Sequence, residues 1–102
     1  MKLYFAGPAE SDLETIGDWI AQDNPARALT FVRELRTACA TIADMPEACP
    51  LVPRYERHGI RRKVHGDHLI FYRVGMGAVV IVHILHGARD YEDILFGPQI
   101  SP

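Results

Sequence analysis

From Gly59 to Asp90 the chain crowds together cationic and aromatic side chains: Arg61-Arg62-Lys63, then Tyr72-Arg73, then the string His86-Gly87-Ala88-Arg89-Asp90, with Tyr91 following. Metal-free RNA cleavage needs a base for the ribose 2′-hydroxyl, cations for the phosphorane and an acid for the leaving oxygen. His65, His68, His86, Tyr72, Tyr91, Arg61, Arg62, Arg73 and Arg89 supply those types. Arg and Tyr are equally the residues that protein-binding hot spots favour, and a run such as Arg61-Arg62-Lys63 also guards a sheet edge against unwanted pairing. Residue types alone leave all three readings open.

Other chemistries fit less well. His65/His68 and His83/His86 are each three residues apart, a spacing that on a strand sends the two rings to opposite faces, and no cysteine cluster has zinc-ligand spacing. No metal or other cofactor is expected. Ser11 and Ser101 sit in a helix-start signal and a tail, without the strand-turn-helix setting of an activated serine. Gly75-Met76-Gly77 reads as a turn between strands rather than a phosphate-binding loop. Of the two cysteines, Cys39 falls on a helical apolar stripe and reads as a small buried hydrophobe. Cys49 lies in a loop, and a bridge between them is not expected.

The positioning elements follow from periodicity. Lys2–Ala6 is rich in strand formers and ends at Gly7-Pro8. A helix then begins either at Pro8, suited to a first turn, or at the capping box Ser11-x-x-Glu14, and stops near Asp23. Leu13, Ile16, Trp19 and Ile20 form its apolar stripe, which places Trp19 in the core against the next helix. Asn24-Pro25 starts that second helix, whose stripe from Ala28 to Ile42 runs to about Asp44. The short connection predicts an antiparallel hairpin.

Met45–Pro53, with three prolines, is a loop. The period then changes to two: Ile60–His65, His68–Val74 and Ala78–Leu85 read as strands joined by hairpin turns. Alternation puts Arg61, Lys63 and His65 on one face and Ile60, Arg62 and Val64 on the other. It likewise opposes Leu69, Phe71 and Arg73 to Ile70, Tyr72 and Val74. One face must meet the helices, so cations on the other are expected to be exposed together. Asp90–Leu95 reads as a last short helix and Phe96–Pro102 as a tail. The expected fold is α+β in the order β-α-α-β-β-β: an N-terminal strand and an antiparallel α-hairpin packed on a 3–4-stranded antiparallel β-sheet, one domain over residues 1–102.

Totals bound the rest. A chain of 102 residues can bury one core with little margin. No apolar run approaches the roughly 20 residues of a membrane span, and no signal peptide is evident, so no membrane association is expected and the cytoplasm is the expected compartment. The net charge of −2 hides an asymmetry: residues 1–50 hold eight acids and four bases, residues 51–102 seven bases and five acids. That balance suits a local basic patch and lacks the strong positive excess of a protein that binds nucleic acid by charge alone.

Five strings in register then resemble the RelE/ParE toxin superfamily: Asp12-Leu13-x-x-Ile16, Asn24-Pro25-x-x-Ala28, Gly59-Ile60-Arg61-Arg62, Leu69-Ile70-Phe71-Tyr72-Arg73-Val74 and Ile84-Leu85-His86-Gly87-Ala88-Arg89-Asp90. The last two are most similar to the ParE branch. The resemblance implies a toxin of a type II toxin–antitoxin pair, neutralised by a cognate antitoxin as a hetero-oligomer, with a homodimer as another possible assembly. It implies DNA gyrase as the target, without an enzymatic step, or else, as in the RelE branch, ribosome-dependent mRNA cleavage. By position, Arg61, Arg62, Tyr72, Arg73 and Arg89 match the family's recurrent polar positions and are the expected target- or antitoxin-binding residues. For a nuclease, Arg61, Arg62, Arg73 and Arg89 would bind phosphate, with His86 or Tyr91 moving the proton. His68 stands where the family commonly has an aromatic.

Overall fold

A computed structural model of the chain describes residues 1–97. Strand β1 (Lys2–Phe5) leads into helix α1 (Gly7–Ala21) and helix α2 (Pro25–Asp44). Strands β2 (Ile60–His65), β3 (His68–Gly75) and β4 (Ala78–His86) follow, and then helix α3 (Tyr91–Phe96). The expected α+β order is what the chain adopts. Of the expected tail Phe96–Pro102, residues 98–102 lie outside the described residues.

Local chemistry explains the helix limits. At α1 the proline signal prevails over the capping box: the N-cap is Ala6, without a side-chain cap, and Pro8 lies in the first turn, where a missing N–H costs nothing. At α2 the Asn24 side chain accepts a hydrogen bond from the Arg27 backbone N–H at 3.0 Å, satisfying one of the donors a helix start leaves unpaired. Asp90, expected inside the last helix, is its N-cap.

The sheet runs in the order β1-β4-β3-β2. The three C-terminal strands form the antiparallel meander, and β1 adds to β4 in parallel, with Lys2 opposite Ala78 and Phe5 opposite Ile81. The sheet is therefore mixed, though mostly antiparallel. In β3–β4 the register jumps: Phe71 faces His83 while Tyr72 faces Ile81, leaving Val82 unpaired as a β-bulge. The bulge rephases β4, so that Val79, Ile81 and then Ile84 all turn to the hairpin side.

That side holds the main core, where Leu13, Leu35, Cys39 and Ile42 meet Ile70, Tyr72, Ile81 and Ile84. Burial pushes the Cys39 thiol up to about 12, and both cysteines are free thiols. The opposite face is not bare. Val52, Phe71 and Leu85 form a second buried cluster there, with Tyr55, Tyr91, Leu95 and Phe96 packed on it. Phe96, expected in the tail, stacks on Tyr55 at 4.0 Å between ring centroids.

Trp19 is the clearest departure from expectation. It is 73% exposed rather than core. Buried Ala9 and Leu13, with Ile16 packed beside them, define the true stripe of α1. At 3.6 residues per turn, Trp19 falls roughly 90° round the helix from the centre of that stripe. It stands instead on the side of Asp12, facing the far end of β4.

Candidate functional site

The basic and aromatic residues singled out by the sequence divide among three places. Arg61 and Tyr72 are direct partners across β2 and β3 and lie on the hairpin side. The Arg61 guanidinium donates to the Cys49 carbonyl at 2.6 Å and to the Glu47 carbonyl at 3.3 Å. The fully buried Tyr72 donates its hydroxyl to the Pro46 carbonyl at 2.9 Å. Burial pushes the Tyr72 phenol up to about 12, with its contact to Cys49 adding to the rise. Both side chains are engaged with the Met45–Pro53 loop.

The outer face carries the second group. Arg62 donates to the Tyr91 hydroxyl at 2.9 Å, and the Tyr91 ring packs against Phe71 at 5.1 Å. Arg73 is exposed, and its guanidinium forms no hydrogen bond or ion pair among the described residues. Arg62 pairs with Phe71 and Arg73 with Ile60, so the two arginines are diagonal neighbours, within reach of one bound group. Sequence reasoning missed Tyr4, which is half exposed. It pairs with Val80, which pairs in turn with Arg73, so Tyr4 joins the same cross-strand row. The signal was unreadable because nothing in the sequence places β1 beside β4.

The third group lies where β4 ends. Gly87 N–H donates to the Asp67 carbonyl at 2.8 Å, tying this end to the β2–β3 turn. A Cβ at Gly87 would meet that same oxygen at 3.3 Å, a tight contact that the turn would have to relax by a few tenths of an ångström. His86 Nδ1 accepts the Ala88 N–H at 3.1 Å, which leaves the ring's proton on Nε2. Arg89 beyond it is exposed. Together with Trp19, Asp12 and His68, His86 and Arg89 border a cleft of about 450 Å³ between α1 and the sheet end.

The histidines need a correction. His65 and His68 do not lie on one strand: they flank the Gly66-Asp67 turn and face each other in register, and His68 in turn faces His86. Cross-strand partners share a face, so the three form a row across β2, β3 and β4. Phe31 of α2 packs at 6.2 Å from the ring of His65 and 5.3 Å from that of His68. The His68 and His86 rings meet edge-on at 5.4 Å. Burial first, and His86 second, hold the His68 pKa below its ordinary value. Among the described residues no three His, Cys, Asp or Glu side chains gather as a metal site.

His83 has turned to a different task. Its Nδ1 lies 2.7 Å from Asp12 Oδ2, and the same oxygen accepts the Ile84 N–H at 2.9 Å. β1 ends opposite Ile81, so Asp12 satisfies a donor on the edge of β4 that β1 no longer covers.

Comparison with known proteins agrees with this architecture. A family profile described as the ParE toxin of type II toxin–antitoxin system, parDE, matches residues 3–91. Toxin RelE2 of Caulobacter vibrioides is 36% identical over 81 residues, spanning 79% of this chain and 89% of that protein. Toxin ParE1 of the same organism is 32% identical over 83 residues, spanning 80% and 84%. Among solved structures, a chain of the chromosomal ParDE toxin–antitoxin system from P. aeruginosa superposes with a TM-score of 0.74 at 20% identity, covering 84% of this chain and 95% of that one. The toxin–antitoxin complex RelBE2 from Mycobacterium tuberculosis gives 0.60 at 24% identity, covering 86% and 92%.

Proposed function

The chain belongs to the ParE toxin family of type II toxin–antitoxin systems, and from that premise we propose a toxin that acts by binding, with DNA gyrase as its target and a cognate antitoxin as its neutraliser. What supports binding over cleavage is the separation of the cation–aromatic set. Arg61 and Tyr72 are committed to loop carbonyls on the hairpin side, while Arg62, Arg73 and Tyr91 lie on the outer face. A nuclease site needs its cations and its proton-transfer groups converging within hydrogen-bond reach of one phosphate. A protein-binding surface needs only an exposed patch with anchors. The net charge of −2 agrees with a protein target.

On this reading Arg73, Arg62 and Arg89 are the target- or antitoxin-contacting residues among those singled out by sequence, and Arg61 and Tyr72 support them from behind. A supercoiling assay with purified gyrase and folded, antitoxin-free toxin tests it. Inhibition that depends on toxin concentration is expected, and undiminished supercoiling would sink the reading.

A second reading has its own support: the 36% identical relative is named a RelE toxin, and Arg62, Arg73 and Tyr91 share one open face. There the arginines would hold phosphate and Tyr91 would move the proton in ribosome-bound mRNA, with His86 and Arg89 contributing from the sheet end. Primer extension on transcripts after toxin induction separates the two, since new codon-specific cuts occur only if this second reading holds.

A further inference from the structure

The cleft between α1 and the end of β4 has a composition that the fold alone does not require. Ile16, Ile20, Ile84 and Leu85 give it an apolar lining, and Trp19, the chain's one tryptophan, stands at it 73% exposed. An indole is the kind of group that interfaces bury as an anchor. The polar groups of the cleft are largely engaged already. Asp12 is bound to His83 and to the Ile84 N–H, and His86 Nδ1 is bound to the Ala88 N–H. Arg89 is then the cleft's only Arg or Lys, with no acidic partner among the described residues. His68, whose Nδ1 is closed off from solvent with no hydrogen-bond partner among the described residues, stands on the cleft wall. An apolar hollow in which Arg89 has no ion pair among the described residues while Asp12 is already hydrogen-bonded is complementary to an apolar side chain followed by a carboxylate that reaches Arg89.

We propose that this cleft is a docking site for a short segment of the antitoxin, presenting an apolar side chain to Trp19 and a carboxylate to Arg89. The proposal rests on the toxin–antitoxin reading and adds to it a second contact region, apart from the outer face that holds Arg62 and Arg73.

The test labels the toxin alone with 5-fluorotryptophan, so that a single fluorine resonance reports Trp19, and titrates it with its cognate antitoxin. Complex formation is followed separately by size-exclusion chromatography. The resonance is expected to shift on binding. Trp19→Ala and Arg89→Glu are each expected to raise Kd at least about tenfold, with circular dichroism unchanged, and Arg89→Lys to restore part of the loss. A complex that forms while the resonance stays still and both variants keep their affinity overturns the cleft assignment and leaves the toxin–antitoxin reading standing. Failure of the folded proteins to form a complex overturns both. A shift that depends on the concentration of toxin alone gives the cleft to a second copy of the chain, and also overturns the proposal.

Discussion

Arg61 and Tyr72 stand opposite each other across β2 and β3 and reach the same loop, Arg61 to the Cys49 carbonyl and Tyr72 to the Pro46 carbonyl. They act as two clamps on one proline-rich segment. Tyr72→Phe is expected to cost about 1 kcal/mol and Arg61→Ala about 2 kcal/mol, because each leaves carbonyls without their donor. Chemical denaturation measures both. If Arg61→Ala unfolds at the wild-type midpoint, the clamp is not structural.

Arg73→Ala is expected to behave in the opposite way. Its guanidinium has no partner among the described residues, so stability should stay within about 0.5 kcal/mol of wild type, while growth arrest on induction is lost. Arg89→Ala should do the same. Loss of toxicity together with a lowered melting temperature would assign either arginine to the fold instead.

Trp19→Ala should leave thermal stability nearly unchanged, within about 0.5 kcal/mol, since the ring is mostly in solvent. A buried tryptophan at the same position would cost about 3–5 kcal/mol. Calorimetry on the antitoxin-free toxin distinguishes the two outcomes without any functional assay.

His68 makes stability fall with acid. Its folded pKa lies below the ordinary 6.5, so as pH drops through about 6.5 the unfolded chain takes up a proton that the folded one refuses. The unfolded state binds more protons in that window, and stability declines by up to about 1.4 kcal/mol per pH unit until the folded ring titrates as well. His68→Gln removes the group, so the variant's denaturation midpoint should vary less between pH 7 and pH 5. Parallel pH profiles for the two proteins would rule the effect out.

Much of the fold was legible because its signals are local. Asn24-Pro25 marks the start of α2, and Ile60–His65 is the strand that the period-two pattern outlines. Alternation also separated Arg61 from Arg62 correctly. It could not say which face α3 would cover, because the Phe71–Tyr91 and Tyr55–Phe96 contacts join segments distant in sequence. Trp19 was misplaced because spacing of three or four residues tolerates a wide arc, and only the neighbouring strand decides where the buried arc ends. The histidine row is not legible from three-residue spacing, because strand parity does not hold across the Gly66-Asp67 turn, which folds His65 back onto His68. The outer-face site was half legible: its arginines stand out by type, but Tyr4 reaches them only through the parallel pairing of β1 with β4.

That parallel pairing also sets an order of assembly. Lys2–Phe5 leaves the ribosome before the other described strands, yet its hydrogen-bonding partner is Ala78–Ile81, made after both long helices and two further strands. Contacts so distant in sequence form late and slowly. The nascent chain can close its helical hairpin early, but Tyr4 cannot join the row beside Arg73 until β4 emerges. Ribosome-bound chains halted after Gly75 should therefore hold a helical hairpin without a completed outer face.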